Sequence, residues 1–305
     1  MKKKVNPPSS RLRRDKPLVS VVIPIYNGAS FLHDAVMSVF KSTYKNFEVL
    51  LIDDGSKDKS KILCHQLEKK YKHLHFYAFK KNKGLGRVLN FALKKAKGKY
   101  ICRINQDDTM HPTRIAKQVA FLTNHPEVVL VGSWLKVHED DGSMRINRFI
   151  ETDEEIRQTW LSLSPCWDAA VMYRKKTAIA VGGYDQSYWP ADDLHMWYRL
   201  GNAGKMANLA QPLTTIRFHG GATSMVHHRK HMIATYKAHR FAHTHVQAAH
   251  WYVQLFWIGQ LAAGYLLPAR FNWWAYRILK KNLFYAQHGP KQIRTVTLVP
   301  EYAKV

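Results

Sequence analysis

The chain has 305 residues, of which 46% are hydrophobic and 12% aromatic, so it can bury a substantial core and is not a disordered protein. Its 47 Lys and Arg against 22 Asp and Glu give a net charge of +25, which predicts an anionic partner such as nucleic acid, acidic lipid, a phosphorylated substrate or an anionic polysaccharide. Three widely spaced cysteines, Cys64, Cys102 and Cys166, indicate neither a disulfide framework nor a zinc–thiolate site and favour a reducing, cytosolic setting.

The first half of the chain alternates apolar strands with helical patterns. Residues 1–16 are basic and are followed by no apolar run, which predicts a flexible arm and not a secretory signal. The predicted strands are Val19–Pro24, Phe47–Asp53, His75–Phe79, Tyr100–Asp107 and Val128–Gly132, and the predicted helices are Phe31–Phe40, about Asp58–Tyr71 and Arg87–Lys97. This alternation favours an α/β fold in which helices cover both faces of a mixed, mostly parallel sheet.

The pattern changes after Gly132. The predicted elements are a hairpin around Glu139–Gly142, a short acidic helix near Asp153–Leu163, strands at Ala169–Tyr173 and Leu213–Phe218, and a helix at Asp192–Leu200. From Met225 the chain is rich in histidine, aromatic and basic residues and is predicted to be helical. The apolar segment Trp251–Leu267 is barely long enough to cross roughly 30 Å of hydrocarbon, which favours an interfacial or core helix over a membrane span.

Two pairs of adjacent acids stand out. Asp107 and Asp108 follow a buried strand, and paired carboxylates at the carboxyl edge of an α/β sheet suit Mg²⁺ or Mn²⁺ and a diphosphate. The alternative is that one of them caps a helix that starts at Pro112. Asp192 and Asp193 begin a predicted helix, where the helix dipole favours carboxylates, so this pair could also be only a cap.

Several segments occur in the order found in one enzyme family. They are Val19–Asn27, Phe47–Ser56, Asn82–Gly84, Asn90, Gly98–Ile101, Asn105–Asp108 and Ala191–Trp197. Together they resemble glycosyltransferase family 2, whose members are inverting enzymes with a Rossmann-like GT-A fold. The resemblance covers roughly residues 17–224 and implies a nucleotide-binding half at 17–132 and an acceptor half at 133–224. Residues 225–305 lie outside it and are expected to form a helical, basic and aromatic extension.

The resemblance also implies roles for individual residues. The residues implied for the nucleotide are Pro24, Tyr26, Asn27, Asp54 with Asp53 as its second choice, Gly84 and Arg87. Asp108 is implied as the direct metal ligand, and Asp107 as a contact to the ribose or to a metal-bound water. His219 is expected either to complete the metal shell or contact phosphate, or to be a structural histidine. The family often has another Asp where this chain has Asn105.

The implied chemistry is sugar transfer in one in-line step, which requires both acid pairs to converge on one cleft. Mn²⁺ or Mg²⁺ would neutralise the departing nucleoside diphosphate. Asp193 is implied as the base that takes the acceptor proton, and Asp192 as the residue that orients acceptor or base. Tyr184, Trp189 and Trp197 form either an aromatic acceptor wall or part of the core. His239 and His243 have zinc-compatible spacing but are predicted to lie on a solvated helix face.

We therefore expect a glycosyltransferase, hexosyl or N-acetylhexosaminyl, in surface polysaccharide, lipopolysaccharide or capsule synthesis. Its expected partners are a nucleotide sugar, with UDP first, a glycan or lipid-linked acceptor, and the anionic inner face of the cell membrane, where a cytoplasmic enzyme would bind peripherally. No nucleic-acid partner is expected, because the basic residues do not alternate with stacking aromatics. A nucleotidyltransferase and a non-catalytic basic module that binds nucleotide or nucleic acid are the alternatives.

Overall fold

The computed structural model describes residues 16–139, 142–217 and 226–268 and positions 271, 274, 275 and 278. The strands in these ranges are β1 Val19–Ile25, β2 Phe47–Asp53, β3 Leu74–Ala78, β4 Tyr100–Arg103, β5 Thr109–Met110, β6 Val128–His138, β7 Met144–Asn147, β8 Met172–Arg174 and β9 Lys205–Arg217. The helices are α1 Ala29–Phe40, α2 Ser60–Lys70, α3 Leu85–Lys95, α4 Arg114–Asn124, α5 Asp153–Thr159, α6 Lys175–Ala180, α7 Asp192–Ala203, α8 His228–His245 and α9 Trp251–Leu266. The predicted arm, apart from Lys16, lies outside the described residues.

All of the described strands belong to one sheet, in the order β3-β2-β1-β4-β8-β6-β9-β5, with β7 paired to β6. The strands β1, β2, β3 and β4 pair in parallel, and β8 runs antiparallel to both β4 and β6. The predicted mixed sheet is therefore confirmed. The parallel strands end at the same edge, which brings the segments after β1, β2 and β4 together.

Alternate residues of the central strands enter two separate cores, one on each face of the sheet. Val21 and Val49 belong to the core that also holds α1, α2 and α4. Val22 and Leu50 belong to the core that also holds α3, α7 and the buried residues of α8 and α9. This follows from the two-residue period of a strand and explains why β1 and β2 read as continuous apolar runs. In the described part of the C-terminal extension, α8 and α9 therefore pack on the same face as α3 and α7.

The structure differs from the predicted elements next to the first acid pair. Strand β4 ends at Arg103, and α4 begins at Arg114 with Thr113 at its N-cap. Asp107 and Asp108 lie in the turn between them, where the Asp108 N–H donates to the Asn105 carbonyl at 3.3 Å. The idea that this pair caps the next helix is therefore wrong.

The predicted strand at Ala169–Tyr173 is also shorter than expected. Residues Asp168–Ala170 form one turn of 3-10 helix, and the strand begins only at Met172. This turn places the Asp168 side chain beside the end of β4, where its carboxylate pairs with Arg103.

One buried arginine fixes the backbone around this edge. Arg114 is fully buried and donates to the carbonyl groups of Arg103, Ala169 and Val171 at 2.8, 2.7 and 3.1 Å. Its Nε also donates to Oε1 of Gln118 at 3.1 Å. The end of β4 and the segment that leads into β8 are thus held together by one side chain, because the guanidinium donates to backbone carbonyl groups of both segments.

The C-terminal helix α9 is the most apolar helix described. It contains no Asp, Glu, Lys or Arg. Among the described residues, no helix combines the length and the apolar character that crossing a membrane requires.

We expect Arg114→Met to lower the free energy of unfolding by about 3–5 kcal/mol, because several buried carbonyl groups lose their donor. Urea unfolding followed by circular dichroism measures this loss. Arg229→Met, at an exposed position of α8, is the matched control and should change the free energy by less than about 0.5 kcal/mol. Equal losses in the two variants would contradict the structural role of Arg114.

Candidate active site

A cavity of about 1450 Å³ lies at the carboxyl ends of β1, β2 and β4. The start of α7 and side chains of α8 and α9 complete its walls. Both predicted acid pairs lie in this cavity, although they are distant along the chain. The predicted site residues that line it are Pro24, Tyr26, Asn27, Asp54, Gly84, Asp107, Asp108, Asp192 and Asp193.

Asn27 fixes the turn after β1. Its backbone is left-handed, with φ at 51°, which asparagine tolerates better than most residues. Its N–H donates to the Ser56 hydroxyl at 2.9 Å, and its side-chain oxygen accepts from the Lys57 N–H at 2.8 Å. The turns after β1 and β2 are therefore bound to each other at one end of the cavity.

Asp54 joins the same end of the cavity to the loop before α3. Its two carboxylate oxygens accept from the backbone N–H groups of Lys83 at 2.6 Å and Gly84 at 2.9 Å. Gly84 has φ of 89°, and a Cβ there would lie 2.4 Å from the Gln186 side chain. Glycine is thus required both by the backbone conformation and by the close approach of Gln186.

Two predicted nucleotide contacts are not at the cavity. Asp53, the second choice, is fully buried, and its Oδ2 accepts from the N–H groups of Gly55 and Ser56 at 3.1 and 3.0 Å, so it holds the turn after β2. Arg87 is exposed, because α3 buries its opposite face. Lys83 lines the cavity and is the cation on this loop that the sequence did not single out.

Gln106 connects the first acid pair to the turn after β1. Its amide nitrogen donates to the Tyr26 carbonyl at 3.0 Å, and its amide oxygen accepts from the Tyr26 N–H at 2.9 Å. A Cβ on Gly28 would lie 2.1 Å from that oxygen, so a larger residue there would displace the Gln106 amide. This positioning role comes from a contact across the sheet, and no sequence pattern indicates it.

Besides Asp54, five carboxylates line the cavity: Asp107, Asp108, Asp168, Asp192 and Asp193. Burial, followed by the charges of Asp107 and Asp168, raises the pKa of Asp108 well above its usual range. Burial, followed by the charges of Asp168 and Asp192, raises the pKa of Asp193 to about 8. Asp168 therefore acts on both pairs, which places the two predicted acid pairs in one electrostatic cluster.

Arg103 is the buried cation of this cluster, and the sequence did not single it out. Its side chain is 1% exposed, and Nη2 donates to Asp168 Oδ2 at 2.9 Å and to Asn105 Oδ1 at 3.2 Å. Asn105, the departure from the family pattern, thus serves as an acceptor for Arg103. The Nε and Nη1 atoms of Arg103 are buried and have no hydrogen-bond partner in the described part of the chain. Buried donors are normally paired, so these two atoms are an exception within the described residues.

The second acid pair stands in the first turn of α7. Ala191 occupies the N-cap, so neither acid does. Asp192 is 2% exposed, and its Oδ2 has no hydrogen-bond partner among the described residues. Burial raises the pKa of Asp192 to about 6, and the charge of Asp168 adds to this effect. A capping acid would have its oxygens paired to the helix backbone, so capping alone does not explain this side chain.

The donor set fits a hard divalent cation. Asp107 and Asp108 supply adjacent carboxylates, and a bound cation would relieve the repulsion that raises the pKa of Asp108. The described residues include no group of three or more His, Cys, Asp and Glu side chains that could hold a metal ion. An ion of the Mg²⁺ type is commonly held by one or two carboxylates together with substrate phosphates and water. His219 lies outside the described residues.

The aromatic residues near the second acid pair have different positions. Trp197 is fully buried in the core on the α3 face, so it is not part of an acceptor wall. Tyr184 and Trp189 line the cavity. The Tyr184 hydroxyl lies 3.2 Å from the Tyr173 hydroxyl, and burial raises the pKa of Tyr184 well above its usual range.

The prediction that His239 lies on a solvated face is wrong. The ring is 4% exposed, its Nδ1 lies 2.7 Å from the Tyr198 hydroxyl, and it stacks on Trp257 with ring centroids 5.0 Å apart. Burial lowers the pKa of His239 to about 3, so the ring is neutral. His243 accepts from the Ala249 N–H at 2.9 Å, and the two histidines thus fix helices and do not form a zinc pair.

We expect Asp192→Asn to stabilise the ligand-free protein increasingly as the pH rises. In the wild type the folded-state pKa of Asp192 is raised to about 6, so the folded protein keeps a proton that the unfolded chain loses above about pH 4. The free energy of unfolding of the wild type therefore falls as the pH rises between these values. The gain should be small near pH 4 and reach roughly 2–3 kcal/mol near pH 8. Urea unfolding across this pH range measures it.

The variant Asp185→Asn is a control that should show the opposite pH dependence of stability. Burial would raise the pKa of Asp185, but hydrogen bonds from the Ser187 N–H and hydroxyl, with the nearby charges of His195 and Arg199, lower it. This variant should therefore lose stability near pH 8 and recover as the pH falls. A pH-independent difference for Asp192→Asn would contradict the electrostatic account.

Sequence comparison agrees with this geometry. The model of the family described as glycosyl transferase family 2 matches residues 20–182. An uncharacterized glycosyltransferase of Rickettsia conorii is 28% identical over 222 residues, which is 68% of this chain and 36% of that protein. The amylovoran biosynthesis glycosyltransferase AmsE of Erwinia amylovora is 28% identical over 216 residues, 70% of this chain and 80% of that protein. The UDP-Gal:alpha-D-GlcNAc-diphosphoundecaprenol beta-1,3-galactosyltransferase of Escherichia coli is 28% identical over 208 residues, 67% of this chain and 75% of that protein.

Solved structures show the same fold. Staphylococcus aureus TarS 1-349 in complex with UDP superposes with a TM-score of 0.59 at 18% identity, covering 81% of this chain and 70% of that one. The mannosyltransferase PcManGT from Pyrobaculum calidifontis, in complex with GDP-Man and Mn²⁺, gives 0.57 at 16% identity, covering 91% and 82%. These likenesses confirm the predicted GT-A fold. The chain spans little more than a third of the length of the Rickettsia conorii relative, so the match concerns the shared domain. Since the family model covers more than half of the chain, the chain belongs to glycosyltransferase family 2.

Proposed function

We propose that this protein transfers a sugar from a nucleotide-sugar donor to an acceptor hydroxyl with inversion at the anomeric carbon. The main support is that Asp108 and Asp193 line one cavity, together with the turns that hold Asn27 and Asp54. A single inverting displacement needs charge neutralisation at the leaving group and a base at the acceptor. One cleft that contains both acid pairs meets this requirement.

The nucleotide is proposed to lie at the end of the cavity formed by the turns after β1 and β2. Tyr26 is 45% exposed and offers a flat wall to a base, while Asn27 and Asp54 offer polar groups held in place by backbone contacts. We propose a UDP-sugar, since the relative from Escherichia coli is named for UDP-Gal. The sugar itself, a hexose or an N-acetylhexosamine, remains open within this proposal.

Asp108 is proposed to hold Mn²⁺ or Mg²⁺, with Asp107 directed to the ribose or to water on the ion, and His219 as a further contact. When bound, the ion supplies Lewis-acid stabilisation of the departing nucleoside diphosphate. We propose that Arg103, which lines the same cavity, also contributes its positive charge to binding of the donor.

Asp193 is proposed as the base that takes the acceptor proton, and Asp192 as the residue that orients the acceptor or the base. A carboxylate with a pKa raised to about 8 is a stronger base than an ordinary one and is still partly ionised near neutral pH. Arg103 opposes the rise by its positive charge, which helps to keep Asp193 ionised. The proton therefore moves from the acceptor hydroxyl to an Asp193 oxygen as the glycosidic bond forms.

The acceptor is proposed to be a glycan or a lipid-linked saccharide in surface polysaccharide synthesis, at the cytoplasmic face of the cell membrane. Two relatives support this proposal, one named for amylovoran biosynthesis and one for transfer to a sugar on diphosphoundecaprenol. The cavity also extends to apolar side chains of α8 and α9, among them Met232, Phe256 and Leu261. Such a wall suits an acceptor with an apolar part.

Two carboxyl-to-amide variants separate donor binding from chemistry. We expect UDP with Mn²⁺ to raise the melting temperature of the wild type and of Asp193→Asn, but not of Asp108→Asn, because only the last loses the proposed metal ligand. Asp193→Asn should lower kcat by about 10²–10⁴-fold, as expected for loss of a general base. A panel of nucleotide sugars with and without Mn²⁺, followed by a transfer assay with the best donor, measures both effects.

Glu154→Gln is the matched control, because Glu154 lies exposed on α5 outside the cavity. It should bind UDP and transfer sugar as the wild type does. Near-normal turnover in either Asp108→Asn or Asp193→Asn would show that the assigned role is wrong.

We also expect Arg103→Gln to move the acidic limb of the pH profile of kcat/KM to higher pH, because the charge that lowers the pKa of Asp193 is removed. Arg103→Lys keeps the charge and should leave the limb in place while weakening donor binding. Initial rates across the pH range measure the shift. An unmoved limb in Arg103→Gln would mean that Arg103 does not influence the base.

A further inference from the structure

One side of α9 is apolar and exposed along its whole length. Its residues follow the i, i+4, i+7, i+11 spacing of one helix face. The exposed fraction is 72% for Trp251, 57% for Leu255, 52% for Ile258 and 81% for Leu266. We call these residues, together with Ala262 and Tyr265, the outer face of α9.

The opposite side of α9 is already packed and is part of the cavity wall. Trp257 is 1% exposed, donates from Nε1 to the Leu161 carbonyl at 2.6 Å and stacks on His239. A Cβ on Gly264 would lie 2.4 Å from Met232, so α8 and α9 are in close contact there. Trp257 and Gln260 line the catalytic cavity. The helix is thus fixed by its inner side, and the outer face takes no part in the core that the described residues form.

The charge of the surrounding chain has one sign. No Asp or Glu occurs between Asp193 and Glu301, although lysine and arginine recur throughout that segment. The described part of α8 exposes four cations, Arg229, Lys230, Lys237 and Arg240. A long segment with cations and no acids favours an anionic partner. Because the segment also contains an uncharged apolar helix, the partner should have an apolar interior as well.

We propose that the outer face of α9 docks along the headgroup boundary of an anionic lipid bilayer. Aromatic side chains at both ends of the face, Trp251 and Tyr265, suit the polar–apolar boundary. The cations of α8 would add attraction to anionic headgroups. At 1.5 Å per residue the 16-residue helix is about 24 Å long, less than the roughly 30 Å of hydrocarbon, so it lies in the interface and not across it.

This docking connects the membrane to the cavity. A helix with its side chains is about 10–12 Å across. Because Trp257 and Gln260 line the cavity from the other side of α9, the bilayer surface would lie about one helix diameter from the cavity wall.

The test is flotation of the full-length protein with vesicles of phosphatidylcholine alone and of phosphatidylcholine mixed with phosphatidylglycerol. We expect binding to the mixed vesicles, weakened but not abolished as salt rises. Ile258→Glu places a charge at the centre of the outer face and should lower the partition coefficient by about tenfold or more. The matched control is Ile62→Glu, the same substitution at a 60% exposed position of α2, and it should bind like the wild type.

Each other outcome overturns the proposal. Wild-type protein that stays unbound, or an Ile258→Glu variant that binds as well as Ile62→Glu, would exclude the bilayer as the occupant. A wild-type dimer in sedimentation velocity that Ile258→Glu dissociates would assign the face to a second copy of the chain. Thermal stabilisation by UDP should be unchanged in Ile258→Glu, so a failure of docking is distinguishable from a failure of the proposed transferase activity.

Discussion

Asp168 and the two acid pairs crowd one cavity, and the rest of the site is built around the balance of their negative charge. Arg103 is the buried cation that lines the cavity beside them, and burial raises the pKa values of Asp108, Asp192 and Asp193. Such a cluster persists because the backbone around it is fixed elsewhere, by Arg114 beneath β4 and by the paired amide of Gln106. A bound divalent ion would supply positive charge to this cluster.

The periodicity of the sequence predicted most of the sheet and its helices, since buried parallel strands and amphipathic helices have distinct patterns. It could not bring Asp108 and Asp193 together; the family resemblance implied that, and the cavity contains both. The sequence could not show which of two adjacent acids faces the cavity. In the structure Asp53 holds a turn, whereas Asp54 lines the cavity. Arg103, like Asp168 and Gln106, acquires its role from contacts across the sheet, which leave no local pattern.

The C-terminal helices α8 and α9 lie outside the segment that the family model matches. Helices α8 and α9 complete the cavity wall, and His239 and Trp257 fix them to α7 and to each other. One helix therefore has two surfaces with different uses: its inner side belongs to the site, and its outer face is available to a bilayer. The proposed docking would place a membrane beside the cavity that these helices help to form, through packing that a single sequence does not reveal.

A crystal structure with UDP and Mn²⁺ would show whether one cleft holds the nucleotide, the ion and the base. We expect the uracil between Tyr26, Asn27 and Asp54, the ion and diphosphate at Asp107 and Asp108, and Asp193 in the same cleft on the acceptor side. A nucleotide bound outside this cavity, or a diphosphate without contact to either acid of the first pair, would contradict this expectation.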